Sequence, residues 1–247
     1  MIILPPITEN IIKRPGNYEG HTVRSIPNPE NEKFWKRFYS QMKKEKILVP
    51  PIRDFKRNKV NPLFGFFGFC FHPVKQESYF HTGLDISGTS RNAVHPVADA
   101  TLEYSGFGAI NGNYVLLKHE NIKTEDGYTL YSMYAHLKKY KVGFNTRQKM
   151  LREISLHTYP KIEIKKKYSI GVVGDTGNLA RGDWHVHVQL EFRRDGADPV
   201  AIDPLRAFGF AKKENKTADM KTKSDFEKII DTDEATLKKY NLLNYWK

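Results

Sequence analysis

The sequence has one cysteine, Cys70, in 247 residues, so an intrachain disulfide is excluded and packing, hydrogen bonds or a metal must hold the fold. Cys70 sits between Phe69 and Phe71 and reads as a small buried hydrophobe. No stretch reaches the roughly 18 consecutive apolar residues that a membrane-spanning helix requires. Acidic residues are outnumbered, 28 against 40 Lys and Arg, which leaves a formal net charge of +12. That balance favours an anionic partner: nucleic acid, an anionic surface or an acidic polymer such as cell wall. No Cys2His2 or RRM-type pattern is present and the basic residues are dispersed, so nucleic acid is not expected. Met1–Pro6 lacks a basic segment followed by an apolar one, which fits a cytoplasmic protein or one whose export signal has been removed.

Three textures follow one another along the chain. Residues 1–60 carry prolines at 5, 6, 15, 27, 29, 50 and 51 and read as an extension rather than a core. One helix fits there, Pro29–Lys46, with Phe34, Phe38 and Met42 at four-residue steps and Asn31 as N-cap. A proline-broken arm ahead of the main domain is expected to lie across or beside its groove. Residues 61–210 alternate short apolar runs with glycine and polar turns. Strands are expected at Ala100–Tyr104, Tyr114–Lys118, Tyr128–Ala135, Ser169–Val173 and His185–Phe192, as in an all-β domain. The Lys-rich stretch Arg147–Lys167 reads as a surface insertion. Residues 211–247 are dense in charge and suggest a short helical tail. Gly171–Gly177 lacks the Lys-Ser/Thr of a P-loop and lies in no βαβ unit, so it reads as a turn between strands.

Histidines concentrate the chemistry. His185 and His187 are two apart in an apolar run, so in a strand they share one face while Val186 and Val188 take the other. His81 and Asp85 are four apart around Gly83, which lets the chain curve and both converge on one metal. His136 ends a predicted strand. A catalytic zinc takes three protein ligands and keeps one open position. Two His and one Asp meet that need, and two histidines remain for acid–base work or for stabilising an oxyanion. No His-Glu-x-x-His helix is present, so those histidines must carry the role. His21, His72, His95, His119 and His157 read as surface or hydrogen-bonded histidines. Tyr134 and Thr176 border the same region and read as structural.

His81-x-x-x-Asp85, Tyr134-Ala135-His136-Leu137 and His185-x-His187, in that order, resemble the LytM/lysostaphin-type zinc endopeptidases of the M23 peptidase family. Phe71-His72-Pro73, the glycine turn Ile170–Gly177 and Asp203-Pro204-Leu205 are similar to its flanking segments. The resemblance covers roughly residues 62–210 and implies a compact antiparallel two-sheet β domain. It implies His81, Asp85 and His187 as Zn2+ ligands, His136 and His185 as the catalytic pair, and peptidoglycan peptides as substrate. A cell-envelope, periplasmic or secreted location goes with it. The positive charge suits an acidic wall polymer.

Three departures bear on the substrate. Phe71 stands where the family usually has a basic residue, the segment after His136 is long, and Asn178–Trp184 replaces a turn of small residues and proline. Two further readings stay open: a zinc-binding regulatory module of the envelope, and a zinc protease acting on proteins.

Overall fold

The computed structural model describes residues 1–13, 24–56, 59–62, 65–72, 77–140, 161–179, 181–215 and 218. Its elements in chain order begin with β1 (Ile2–Leu4), β2 (Ile11–Lys13), β3 (Ser25–Pro27) and α1 (Glu32–Lys44). Then come β4 (Gly68–His72), β5 (Glu77–His81), β6 (Leu84–Ser87), β7 (Ala93–Val94), β8 (Ala100–Gly108), β9 (Gly112–Thr124) and β10 (Thr129–Leu137). The last are β11 (Lys139–Tyr140), β12 (Glu163–Ile164), β13 (Gly171–Val172), β14 (His185–Arg193), β15 (Val200–Ile202) and α2 (Pro204–Ala207). The fold is mainly β. Its principal sheet runs β12-β8-β9-β10-β14-β15-β3-β2, with β6 on β14 and β1 on β9. A three-stranded sheet (β11-β13-β7) and the β4–β5 hairpin complete the described strands.

The five expected strands are present, several of them longer than the apolar runs suggested. Pairing through the centre is antiparallel, and β1 on β9 and β15 on β3 are parallel. Of the expected helical tail at 211–247 only residues 211–215 and 218 are described, and His21 and His157 also lie outside the described residues. Of the expected insertion, Lys161–Lys167 is described. Ile164 is buried there and pairs with Ala100 at the edge of β8, so this part belongs to the sheet rather than to a loose surface loop.

The described residues among 1–60 do not stand apart from the domain, because their apolar side chains complete the core. Leu4, Ile7, Trp35, Phe38, Tyr39, Met42, Ile47 and Leu48 all belong to it. The helix is shorter than expected and its buried stripe is Trp35, Phe38, Tyr39 and Met42, with Phe34 at the margin. Positions i, i+3, i+4 and i+7 give one apolar face. Asn31 caps nothing with its side chain. The side chain of Asn28 accepts from the Glu30 N–H instead, opening a 3-10 turn whose first residue is Pro29. Just past the helix stands Lys46, at φ 48°, where Lys46 N–H donates to Lys43 O and Ile47 N–H to Met42 O. This is a Schellman closure, with buried Ile47 and Met42 as its apolar contact.

Side-chain alternation in β14 places the helix. Val186, Val188, Leu190 and Phe192 are fully buried on one face, and Phe38 of α1 meets Phe192 edge-on at 5.8 Å. His185 and His187 face the other way. The expected arm across the groove is therefore corrected for α1, which packs behind the sheet. Tyr134 is also core: its hydroxyl accepts from Val97 N–H at 2.8 Å and lies 2.9 Å from Ser132 Oγ.

His119 ties β9 to its neighbours. One ring nitrogen lies 3.1 Å from Asp99 O and the other 2.8 Å from Ser132 Oγ, and burial pushes its pKa down to about 4. The folded state thus holds this ring neutral, whereas the unfolded chain protonates it near 6.5. Its contribution is complete above pH 6.5 and is lost as pH falls toward 4, because there the unfolded state binds more protons. Urea unfolding at pH 7 and pH 4 should show a loss of about 3 kcal/mol from this site. His119→Gln should be less stable at pH 7 and lack that part of the acid dependence. An unchanged pH slope in the variant would exclude His119 as its source.

Candidate active site

Four strands deliver the site, β5, β6, β10 and β14. On β14, His185 and His187 project to the face opposite Val186 and Val188 and are 7% and 8% exposed. β6 pairs antiparallel with β14 so that Asp85 is opposite His187 and Ser87 opposite His185. Directly opposed residues share a face, which places the Asp85 carboxylate against the His187 ring. β5 ends at His81, and Thr82-Gly83 returns the chain into β6. Gly83 is required by the close approach: a Cβ there would lie 2.5 Å from His187 Cε1 and 2.6 Å from its Nε2.

The donor atoms of His81, Asp85 and His187 crowd together. Asp85 Oδ1 lies 2.9 Å from His187 Nδ1 and 3.3 Å from His81 Nε2, and the two ring nitrogens are 3.1 Å apart. Four-coordinate zinc with bonds of about 2.0–2.1 Å needs ligand atoms roughly 3.3 Å apart, the edge of the tetrahedron. The trio comes close to that spacing and offers two imidazoles and one carboxylate, a donor set suited to zinc. His81 Nδ1 lies 3.0 Å from Phe66 O. A carbonyl only accepts, so Nδ1 carries a proton, and Nε2 is the nitrogen placed to serve as a metal donor. Among the described residues this is the group of His, Cys, Asp and Glu donors close enough to hold a metal.

Charge in the trio is shared. Burial opposes ionisation of Asp85, but His81 and His185 outweigh it and hold the carboxylate well below its usual range. Burial lowers the His81 pKa, and Asp85 more than restores it, so the net shift is upward. His187 is pushed down by burial, with His81 and His185 beside it.

His136 stands at the end of β10, one residue beyond Ala135, which pairs with His187. Its ring centroid is 5.0 Å from that of His185 and 6.1 Å from that of His187. Nδ1 lies 2.9 Å from Thr176 O, so Nδ1–H donates and Nε2 carries the lone pair. Burial and the two neighbouring histidines push its pKa down to about 3, and the ring is neutral. His185 differs. Its Nδ1 lies 3.2 Å from Asp183 O and 3.4 Å from Asp183 Oδ1, and its Nε2 is 3.9 Å from Asp85 Oδ1. Burial works against its charge, but Asp85 and Asp183 overcome it and raise its pKa to about 9. A bound cation would oppose that charge.

All five residues named from the sequence therefore meet in one place. Two contributors were not singled out there: Asp183 and the Phe66 carbonyl. Asp183 had a signal, since it precedes His185 by two residues and can reach the same face. The Phe66 carbonyl had none, because a backbone contact 15 residues away leaves no mark on residue type.

Comparisons with known proteins show what the chain is similar to. The sequence model of peptidase family M23 matches residues 79–201. The chain is 24% identical over 220 residues to peptidoglycan DD-endopeptidase ShyC of Vibrio cholerae serotype O1, across 89% of this chain and 44% of that protein. The chain thus spans less than half the length of that relative. A solved zinc-containing peptidase from Vibrio cholerae superposes at TM-score 0.46 with 19% identity, over 68% of this chain and 41% of that one. The catalytic domain of lysostaphin from Staphylococcus simulans does so at 0.40 with 19% identity, over 62% of this chain and 94% of that one.

Proposed function

Since residues 79–201 are a peptidase family M23 domain, we propose that this chain is a zinc-dependent endopeptidase that hydrolyses peptide bonds of peptidoglycan in the cell envelope. The observation that carries the reading is the close trio His81, Asp85 and His187 with His136 and His185 beside it. The trio would hold the zinc ion. Bound there, zinc would supply Lewis-acid chemistry, making water acidic enough to attack near neutral pH and polarising the scissile carbonyl.

The chain's own groups handle protons and position. Neutral His136, with its proton fixed on Nδ1, offers Nε2 as acceptor for the proton of the attacking water. His185, held through Nδ1 by Asp183, presents Nε2–H to the carbonyl oxygen as that oxygen gains negative charge. Either ring can then pass a proton to the leaving amine. Their burial limits the water that would otherwise compete for these hydrogen bonds. The relative named as a DD-endopeptidase, together with the net charge of +12, supports an acidic wall polymer as substrate.

Digestion of purified peptidoglycan, followed by mass spectrometry of the released muropeptides, tests the proposal and reports the bond. Wild-type protein should carry about one zinc per chain and release peptide fragments. Absence of zinc from protein purified without chelator, or release no greater than from a boiled control, would overturn it. Cleavage of ordinary L-peptides with no action on muropeptides would replace the substrate while keeping the chemistry.

A further inference from the structure

His136 has a left-handed backbone, φ 60°, which a bulky side chain adopts only when its surroundings impose it. What imposes it comes from two distant segments. The tip of the β8–β9 hairpin supplies Asn111 O, which accepts from the His136 N–H at 2.8 Å. The turn after β13 supplies Thr176, whose carbonyl accepts from His136 Nδ1–H at 2.9 Å. The Thr176 hydroxyl fixes that carbonyl. It donates to Leu137 O and accepts from Asn113 N–H, both at 2.9 Å. Asn113 adds two bonds from Nδ2, to Leu137 O at 3.0 Å and Lys138 O at 3.2 Å. The chain on the C-terminal side of His136 is thereby pinned as well as its ring.

The two backbones interlock without room for a side chain. Gly112 at φ 58° and Gly177 at φ 92° face each other. A Cβ on Gly112 would fall 2.2 Å from Thr176 Oγ1, and one on Gly177 would fall 2.3 Å from Ile110 O. Asn178 N–H closes the joint onto Ile110 O at 3.3 Å. Each jaw holds the other, and His136 is bonded to both.

We propose that Thr176, clamped against the hairpin tip Asn111–Asn113, is the positioning residue of His136. It sets which ring nitrogen carries the proton and turns the other toward His185 and the metal-ligand cluster. The inference rests on the reading of His136 as the proton acceptor, but the placement of the ring can be measured independently of catalysis.

The experiment compares wild type with Thr176→Val and Thr176→Ser. Valine keeps the shape and the backbone carbonyl and loses the hydroxyl; serine keeps the hydroxyl. Long-range nitrogen–proton NMR of the imidazoles reports the His136 tautomer, and muropeptide release gives kcat and KM. Thr176→Val should lose the uniform Nδ1–H tautomer of His136 and lower kcat about 10–100-fold, since small misplacements of a reacting group have that effect. KM and zinc content should stay at wild-type values, and Thr176→Ser should restore both tautomer and kcat. A Thr176→Val protein with wild-type tautomer overturns the proposal, whether or not its kcat falls. So does a folded Thr176→Ser protein that fails to recover both. If Thr176→Val does not fold, Asn113→Ala carries the same test through the opposite jaw with the same expected losses. If wild type proves inactive on peptidoglycan, the functional reading fails, and the tautomer arm still decides the positioning.

Discussion

His187→Ala is expected to leave a folded protein that neither retains zinc nor cuts peptidoglycan. His187 Nδ1 is the central donor of the trio, within 3.1 Å of both His81 Nε2 and Asp85 Oδ1. Its removal leaves one imidazole and one carboxylate, too few for the three protein ligands of a catalytic zinc site. Outer partners of metal ligands already carry about 10–100-fold in affinity, so losing a ligand should weaken retention at least about 100-fold. Zinc measured after dialysis against a mild chelator, with circular dichroism as the folding control, checks this. Zinc retained at wild-type level would show that the metal lies elsewhere. The smaller side chain should be tolerated by the fold, because the His face of β14 is not the face packed on α1.

His185→Ala separates metal from chemistry. Its Nε2 is 3.9 Å from Asp85 Oδ1, farther than either ligand nitrogen, and its Nδ1 is engaged by Asp183. The variant should therefore keep its zinc. Muropeptide release should fall about 10²–10⁴-fold, the usual share of a positioned proton donor or acceptor. Loss of zinc together with activity would make His185 a ligand and displace the division of labour between the two histidines of β14. Retention of both would remove it from the reaction.

The site was more legible in the sequence than the frame around it, for physical reasons. Period-two alternation states directly that His185 and His187 share a face, and a His and an Asp around Gly83 announce a curve. Order and spacing of these motifs then carried the resemblance. The role of residues 1–60 was hidden because prolines mark local chain breaks and say nothing about tertiary burial. Leu4, Ile7 and the α1 stripe are core through contacts with strands far along the chain. The expected stripe held Phe38 and Met42 but left out Trp35 and Tyr39, which are amphipathic and fit either face of a helix by residue type alone. Their polar atoms are satisfied inside, Trp35 Nε1–H by Asn10 O and the Tyr39 hydroxyl by Asp203 N–H. The link from Thr176 to His136 runs through a backbone carbonyl, which residue type cannot reveal.

The packing of α1 on Phe192 bears on how the molecule can be cut. Residues 79–201, the stretch that matches the family M23 model, share one hydrophobic core with the N-terminal residues. A fragment beginning near residue 61 would lose the Phe38 ring that now packs on Phe192, on the very strand that carries His185 and His187. Apolar surface of that kind drives association between copies. A fragment that is to stay dispersed in water should therefore keep the N-terminal strands and helix, a scaffold for β14 that the His185-x-His187 motif does not contain.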